Sequence, residues 1–124
     1  MKRARILIAD DHEVVRRGIA AQIAQCPDWE VIAEATNGLE AVELAQKLEP
    51  DLIVLDFSMP ELNGLAAARR ILEARPEARV LILTVHESEQ VVREVLSAGA
   101  QGYVLKSDAG RKLIRVIDDG SGMD

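Results

Sequence analysis

Five polar residues stand where aliphatic runs stop. Asp10 closes "ARILIAD" and Asp11 follows it; Asp56 closes "DLIVLD", Thr84 closes "RVLILT" and Lys106 closes "GYVLK". If those runs are parallel strands of one sheet, three carboxylates, a hydroxyl and an ammonium gather at one edge. Crowded carboxylates repel unless something positive joins them. Lys106 can neutralise one, and a hard divalent cation can take the rest. Magnesium prefers oxygen ligands and commonly uses one or two carboxylates, some waters and a phosphate. Thr84 and Lys106 suit a phosphoryl group, as hydroxyl donor and point charge. An aspartate can itself be the nucleophile that accepts that group. Asp56, on the run expected at the centre of the sheet, is the candidate. Phosphoryl transfer needs mainly alignment and charge stabilisation, which this set supplies. Taken singly, each residue has a plain structural reading. Aspartate at a strand end caps a helix or forms a turn, lysine is a solvated charge, and threonine is a β-former. The joint occurrence at several element ends is what packing does not require.

The elements that must position these groups follow from hydrophobic pattern. The four runs at 4–10, 51–56, 79–84 and 102–106 are apolar nearly throughout, as strands covered on both faces are. "EVIAEAT" (30–36) alternates more and reads as an edge strand. Helical spacing fills the gaps: Val15, Ile19, Ile23 and Cys26; Leu39, Val42 and Ala45; Leu65, Ala68 and Leu72; Val91, Val95 and Ala98; and a last, short set of Leu113, Ile114 and Ile117. Pro50 and Pro76 stop the second and third helices, and Gly99 and Gly102 the fourth. The order is βα five times, an α/β chain with a doubly wound parallel sheet and right-handed crossovers. Ligands of such sheets bind at the carboxyl ends of the strands, where strand order reverses.

Composition narrows the function. The 124 residues suit one domain, expected over 1–119 with 120–124 as a polar tail. A net charge of −6, from 15 basic and 21 acidic residues, argues against gripping nucleic acid or an anionic membrane directly. A single cysteine, Cys26, forbids an internal disulfide and suits a reducing cytoplasm. The opening "MKRARILIADD" has too short an apolar run for a signal sequence or membrane span.

The phrases "ADD" (9–11), "DFSMPELNG" (56–64), "LTVHE" (83–87) and "GYVLKS" (102–107), in this order, resemble the receiver domain of two-component response regulators. "ADDHEVVRRGI" and "EVLSAGAQGYVLKSD" further resemble the NarL/FixJ (LuxR-type) subgroup, whose receivers precede a helix-turn-helix DNA-binding domain. The resemblance implies a flavodoxin-like five-stranded sheet in the order 2-1-3-4-5. It implies Asp56 as phosphoacceptor, served by a sensor histidine kinase or a small phosphodonor. Mg²⁺, with Mn²⁺ as substitute, would be held by Asp10, Asp11, Asp56 and the backbone carbonyl of Ser58. Thr84 and Lys106 would contact the phosphoryl group, and Tyr103 would be the switch aromatic that follows Thr84. Ser58 and His86, two residues after Asp56 and Thr84, would tune dephosphorylation. Self-phosphorylation and self-dephosphorylation would be the chain's only chemistry, so it is not expected to be an enzyme. Where many receivers have proline after the active-site lysine, Ser107 stands here, and a cis bond before a non-proline costs roughly 3 kcal/mol.

Competing readings meet specific obstacles. A dinucleotide binder needs G-x-G-x-x-G after strand 1, where "ADDHE" instead puts two negative charges. A phosphatase with an aspartate nucleophile needs a second acid two residues on, where Ser58 stands. The expected output is transcriptional, through a helix-turn-helix domain beyond residue 124. The alternative is a stand-alone receiver acting in a phosphorelay or by protein binding. The resemblance also implies that a homodimer can form, with the final helix (109–117) as the surface that family members often use.

Overall fold

A computed structural model describes residues 4–85 and 88–108. His86, the expected last helix and the tail lie outside the described residues. The elements are β1 (Ala4–Ala9), α1 (Glu13–Ala24), β2 (Trp29–Ala35), α2 (Gly38–Leu48), β3 (Leu52–Asp56), α3 (Gly64–Ala74), β4 (Arg79–Thr84), α4 (Glu89–Ser97) and β5 (Gly102–Leu105), closed by a 3-10 turn over Lys106–Asp108. All strand pairs are parallel, in the order β2-β1-β3-β4-β5, as expected. The order reverses between β1 and β3, which bear the aspartates.

Side-chain alternation splits the core in two. Leu7, Ile53, Leu55 and Ile82 pack under α2, α3 and α4 through Ala41, Ala67, Ile71 and Val95. Ile6, Ile8, Val54 and Leu83 face the other way and meet Ile19 and Ile23 of α1. β3 is buried at all five positions because neighbours pair on both its edges and helices cover both faces. β2 is half-exposed along most of its length, as an edge strand should be, and a bulge interrupts its pairing with β1 between Ile6 and Leu7.

The helices start where side chains can bind free backbone N–H groups. Asn37 accepts from Glu40 N, Asn63 from Ala66 N and Ser88 from Val91 N, each cap contributing about 1 kcal/mol. α1 differs: its N-cap, His12, makes no side-chain cap. α2 ends on Glu49 in the left-handed region (φ 49°) ahead of Pro50, and α4 is followed by Gly99 at φ 93°. Several predicted boundaries shift by a residue or two. Cys26 falls two residues past α1, and Lys106 leaves the strand for the 3-10 turn.

Candidate functional site

The core holds Asp56 in place. Flanked by β1 and β4, β3 cannot shift without breaking two ladders, and its last residue pairs with Leu83. The chain then turns at once. Phe57 N donates to Leu83 O and Gly64 N to Phe57 O, so the loop over 57–63 is pinned at both ends. Met59 is buried and anchors it in the core, and Glu61 turns it through the left-handed region (φ 69°). A Cβ on Gly64 would lie 2.1 Å from the carbonyl oxygen of Asp56, and one on Gly38 would lie 1.8 Å from that of Leu62. No side chain fits either place, so α2 and α3 both begin in backbone contact with this loop.

The structure brings the predicted acids together. Asp10 and Asp56 are buried while Asp11 is open to solvent. Ligand atoms of Asp10, Asp11, His12 and Asp56 all lie within 4.8 Å of one another. Lys106, its side chain 11% exposed, reaches in from the far edge of the sheet. Its Nζ lies 3.2 Å from Asp10 Oδ2 and 3.1 Å from Asp56 Oδ2. Both contacts are ion pairs off the hydrogen-bond direction, so both buried Oδ2 atoms lack a directed donor. Asp10 Oδ1 accepts from His12 N at 2.8 Å, and Asp56 Oδ1 accepts weakly from Ser58 N at 3.4 Å. The Lys106–Ser107 bond is trans, since no cis peptide occurs among the described residues.

Asp56 carries the electrostatic cost of this crowding. Burial raises its carboxyl from 3.8 to about 6, the charge of Asp10 adds to the rise, and Lys106 opposes it. Asp56 remains ionised at neutral pH but is held poorly solvated. Three carboxylates then face one ammonium, an excess of negative charge that a divalent cation would cancel. The oxygen donors and the two undirected Oδ2 atoms fit a hard cation such as Mg²⁺.

Beside this cluster lies an open cavity of about 180 Å³. Asp56, Ser58, Thr84 and Lys106 supply its polar wall; Phe57, Val85 and Val91 supply the apolar one. Thr84 is buried at the end of β4 and paired in register with Leu105. Tyr103 is half-buried on β5, two residues earlier, and packs against the core cluster that includes Val95 of α4.

Sequence reasoning missed two residues. His12 stands inside the acid cluster, its Nδ1 3.2 Å from Asp10 Oδ1 and 3.4 Å from Asp11 Oδ1. Arg16 is buried on α1, where Nη1 donates to the Asp10 carbonyl at 2.8 Å and Nε to Glu34 Oε1 at 2.9 Å. It ties β1, α1 and β2 together behind the acids. The available clue was a charged residue set between Val15 and Ile19 on a face that otherwise reads as core.

Residues 6–118 match the family described as the response regulator receiver domain. The transcriptional regulatory protein DegU of Brevibacillus brevis is 39% identical over 121 residues, covering 95% of this chain and 51% of that protein. The nitrate/nitrite response regulator protein NarL of Escherichia coli is 39% identical over 114 residues, covering 92% and 53%. The chain therefore spans about half the length of these relatives. Among solved structures, the signal receiver domain of a NarL response regulator from Mycobacterium tuberculosis superposes with a TM-score of 0.92 at 27% identity, covering 98% of each chain. A LuxR-family response regulator from Aurantimonas superposes at 0.89 with 36% identity, covering 95% of this chain and 84% of the other. Carboxyl-edge acids, a lysine from the last strand's end and these likenesses agree: the chain belongs to the response regulator receiver domain family, in its LuxR-type branch.

Proposed function

We propose that this receiver is switched by phosphorylation of Asp56, and that the observation carrying this is a buried, ionised carboxylate raised to about 6 at the mouth of a small cavity. A poorly solvated carboxylate is a better nucleophile than one in water, yet at pH 7 it is still charged. In the transfer, an Asp56 oxygen forms a bond to phosphorus as the bond to the donor's histidine nitrogen, or to the acyl oxygen of a small phosphodonor, breaks. The electron pair of the broken bond leaves with the donor. Lys106, already against Asp56, follows the new charge onto the phosphoryl oxygens, and Thr84 donates its hydroxyl from the cavity wall. Asp10, Asp11, Asp56 and the Ser58 carbonyl would hold Mg²⁺ or Mn²⁺. When bound, that ion supplies charge neutralisation for the phosphoryl group.

Cavity size supports a phosphoryl-sized occupant. Pockets for drug-sized organic ligands run from about 300 Å³ upward, against about 180 Å³ here. This favours a protein that modifies itself over an enzyme acting on outside substrates. The switch would run from Thr84 to Tyr103, whose ring would follow the hydroxyl inward and alter the surface near α4. Ser58 would tune how long the phosphoryl group lasts. The upstream partner would be a sensor histidine kinase. The output would be transcription, through a DNA-binding portion such as the relatives' names and lengths suggest; a charge of −6 argues against the receiver itself gripping DNA. Acetyl phosphate with Mg²⁺ tests the core of this reading. Intact mass should rise by one phosphoryl group, and not in Asp56→Asn. Labelling that persists in that variant would falsify the acceptor assignment.

A further inference from the structure

We propose that His12 closes the cation site: its imidazole stands among the three carboxylates and must turn out to solvent before Mg²⁺ binds. This rests on the reading above that these acids hold a divalent cation, and adds a residue that competes for the place.

The geometry argues for obstruction. Nδ1 lies 3.2 Å from Asp10 Oδ1, 3.4 Å from Asp11 Oδ1 and 4.0 Å from Asp56 Oδ2. An atom this close to carboxylates from two different strands is inside the cluster, in space that a cation and its waters need. The ring is also 3.2 Å from Lys106 Nζ, and because Nδ1 would have to donate to a carboxylate but accept from the ammonium, only one of these contacts is a hydrogen bond at a time. Magnesium takes oxygen ligands and keeps several waters, whereas imidazole suits softer metals. The ring is therefore a poor ligand standing where water should be. His12 also lines the cavity beside Asp56.

Little holds the ring there. The side chain is 63% exposed, and it caps no backbone group of α1. The backbone of His12 is fixed separately, by N–H donation to Asp10 Oδ1 at 2.8 Å. Rotation about χ1 can thus free the site without moving the chain, between ordinary staggered positions.

The test is a Mg²⁺ titration of the wild-type chain, His12→Ala and Asp11→Ala, followed by amide NMR shifts around Asp56. Because the ring is solvent-exposed, His12→Ala removes no core contact. The expected result is tighter binding in His12→Ala, by about two- to fivefold, the scale of one half-exposed polar contact. Unchanged or weaker binding in His12→Ala, with binding still lost in Asp11→Ala, overturns the gate alone and leaves the acids as the cation site. Absence of binding in the wild type, or binding that survives in Asp11→Ala, overturns the cation site and the gate together.

Discussion

The two edges of the sheet use the same residue types to opposite ends. At the amino edge, charges meet partners that answer them: Arg5 N donates to Asp51 Oδ2 at 2.8 Å, and the Arg5 guanidinium to Glu49 O. Arg75 donates to Pro50 O and Arg79 to Gln101 Oε1, with only Arg79 Nη2 left over among the described residues there. At the carboxyl edge three acids cluster and two of them share one lysine, and two buried carboxylate oxygens lack a directed donor. Burying charge without full pairing costs stability. One edge has minimised that cost and the other has kept it. The difference locates the chemistry better than any single residue does.

Experiments can break or sharpen this contrast. The largest effect is expected at Asp56: Asp56→Asn should abolish labelling by acetyl phosphate, while Arg5→Ala should label like the wild type by intact mass. Equal loss in both would erase the distinction between the edges. Next, Lys106→Ala should slow labelling on the order of 10²-fold, the usual scale for losing one charge-stabilising donor. A rate within twofold of wild type would reduce Lys106 to a structural ion pair.

The metal-free protein should also show the cost of Asp56 directly. Its carboxyl titrates at about 6 when folded, against an ordinary 3.8. Between those values the folded state binds the extra proton, so stability falls as pH rises from about 4 to about 6 and levels off above. Asp56→Asn should flatten that slope and be more stable at pH 7 by about 1–3 kcal/mol, read from urea melts at several pH values. A slope retained in Asp56→Asn would assign it elsewhere. The smallest effect belongs to the amino edge, where Arg5→Ala should cost less than about 1 kcal/mol and leave Mg²⁺ affinity untouched.

Much of this contrast is legible in the linear chain, because each strand announces its own end. An aliphatic run that stops at Asp10, Asp56 or Thr84 states both the element and its direction, and the βα rhythm puts those ends on one edge. Lys106 is legible by position, although it sits in a turn rather than in β5. What the chain does not announce is contact between an element's start and another element's end. His12 reads as an unremarked residue between two acids and a helix, and only the folded β1–α1 joint turns its ring into the cluster. Arg16 reads as one of α1's basic residues until burial shows it holding the Asp10 carbonyl. The β2 bulge likewise depends on register with β1, which no single strand encodes.

The loop after Asp56 is wedged between two helix starts. Gly38 and Gly64 touch it from α2 and α3, backbone against backbone. A single methyl at position 38, on a helix that bears none of the acids, would therefore act as a shim driven beneath Leu62. It would force the backbone at Leu62 to shift while leaving every acid of the site, the threonine and the lysine chemically intact. Position 38 thus bears on the loop after Asp56 from the scaffold rather than from the reactive groups.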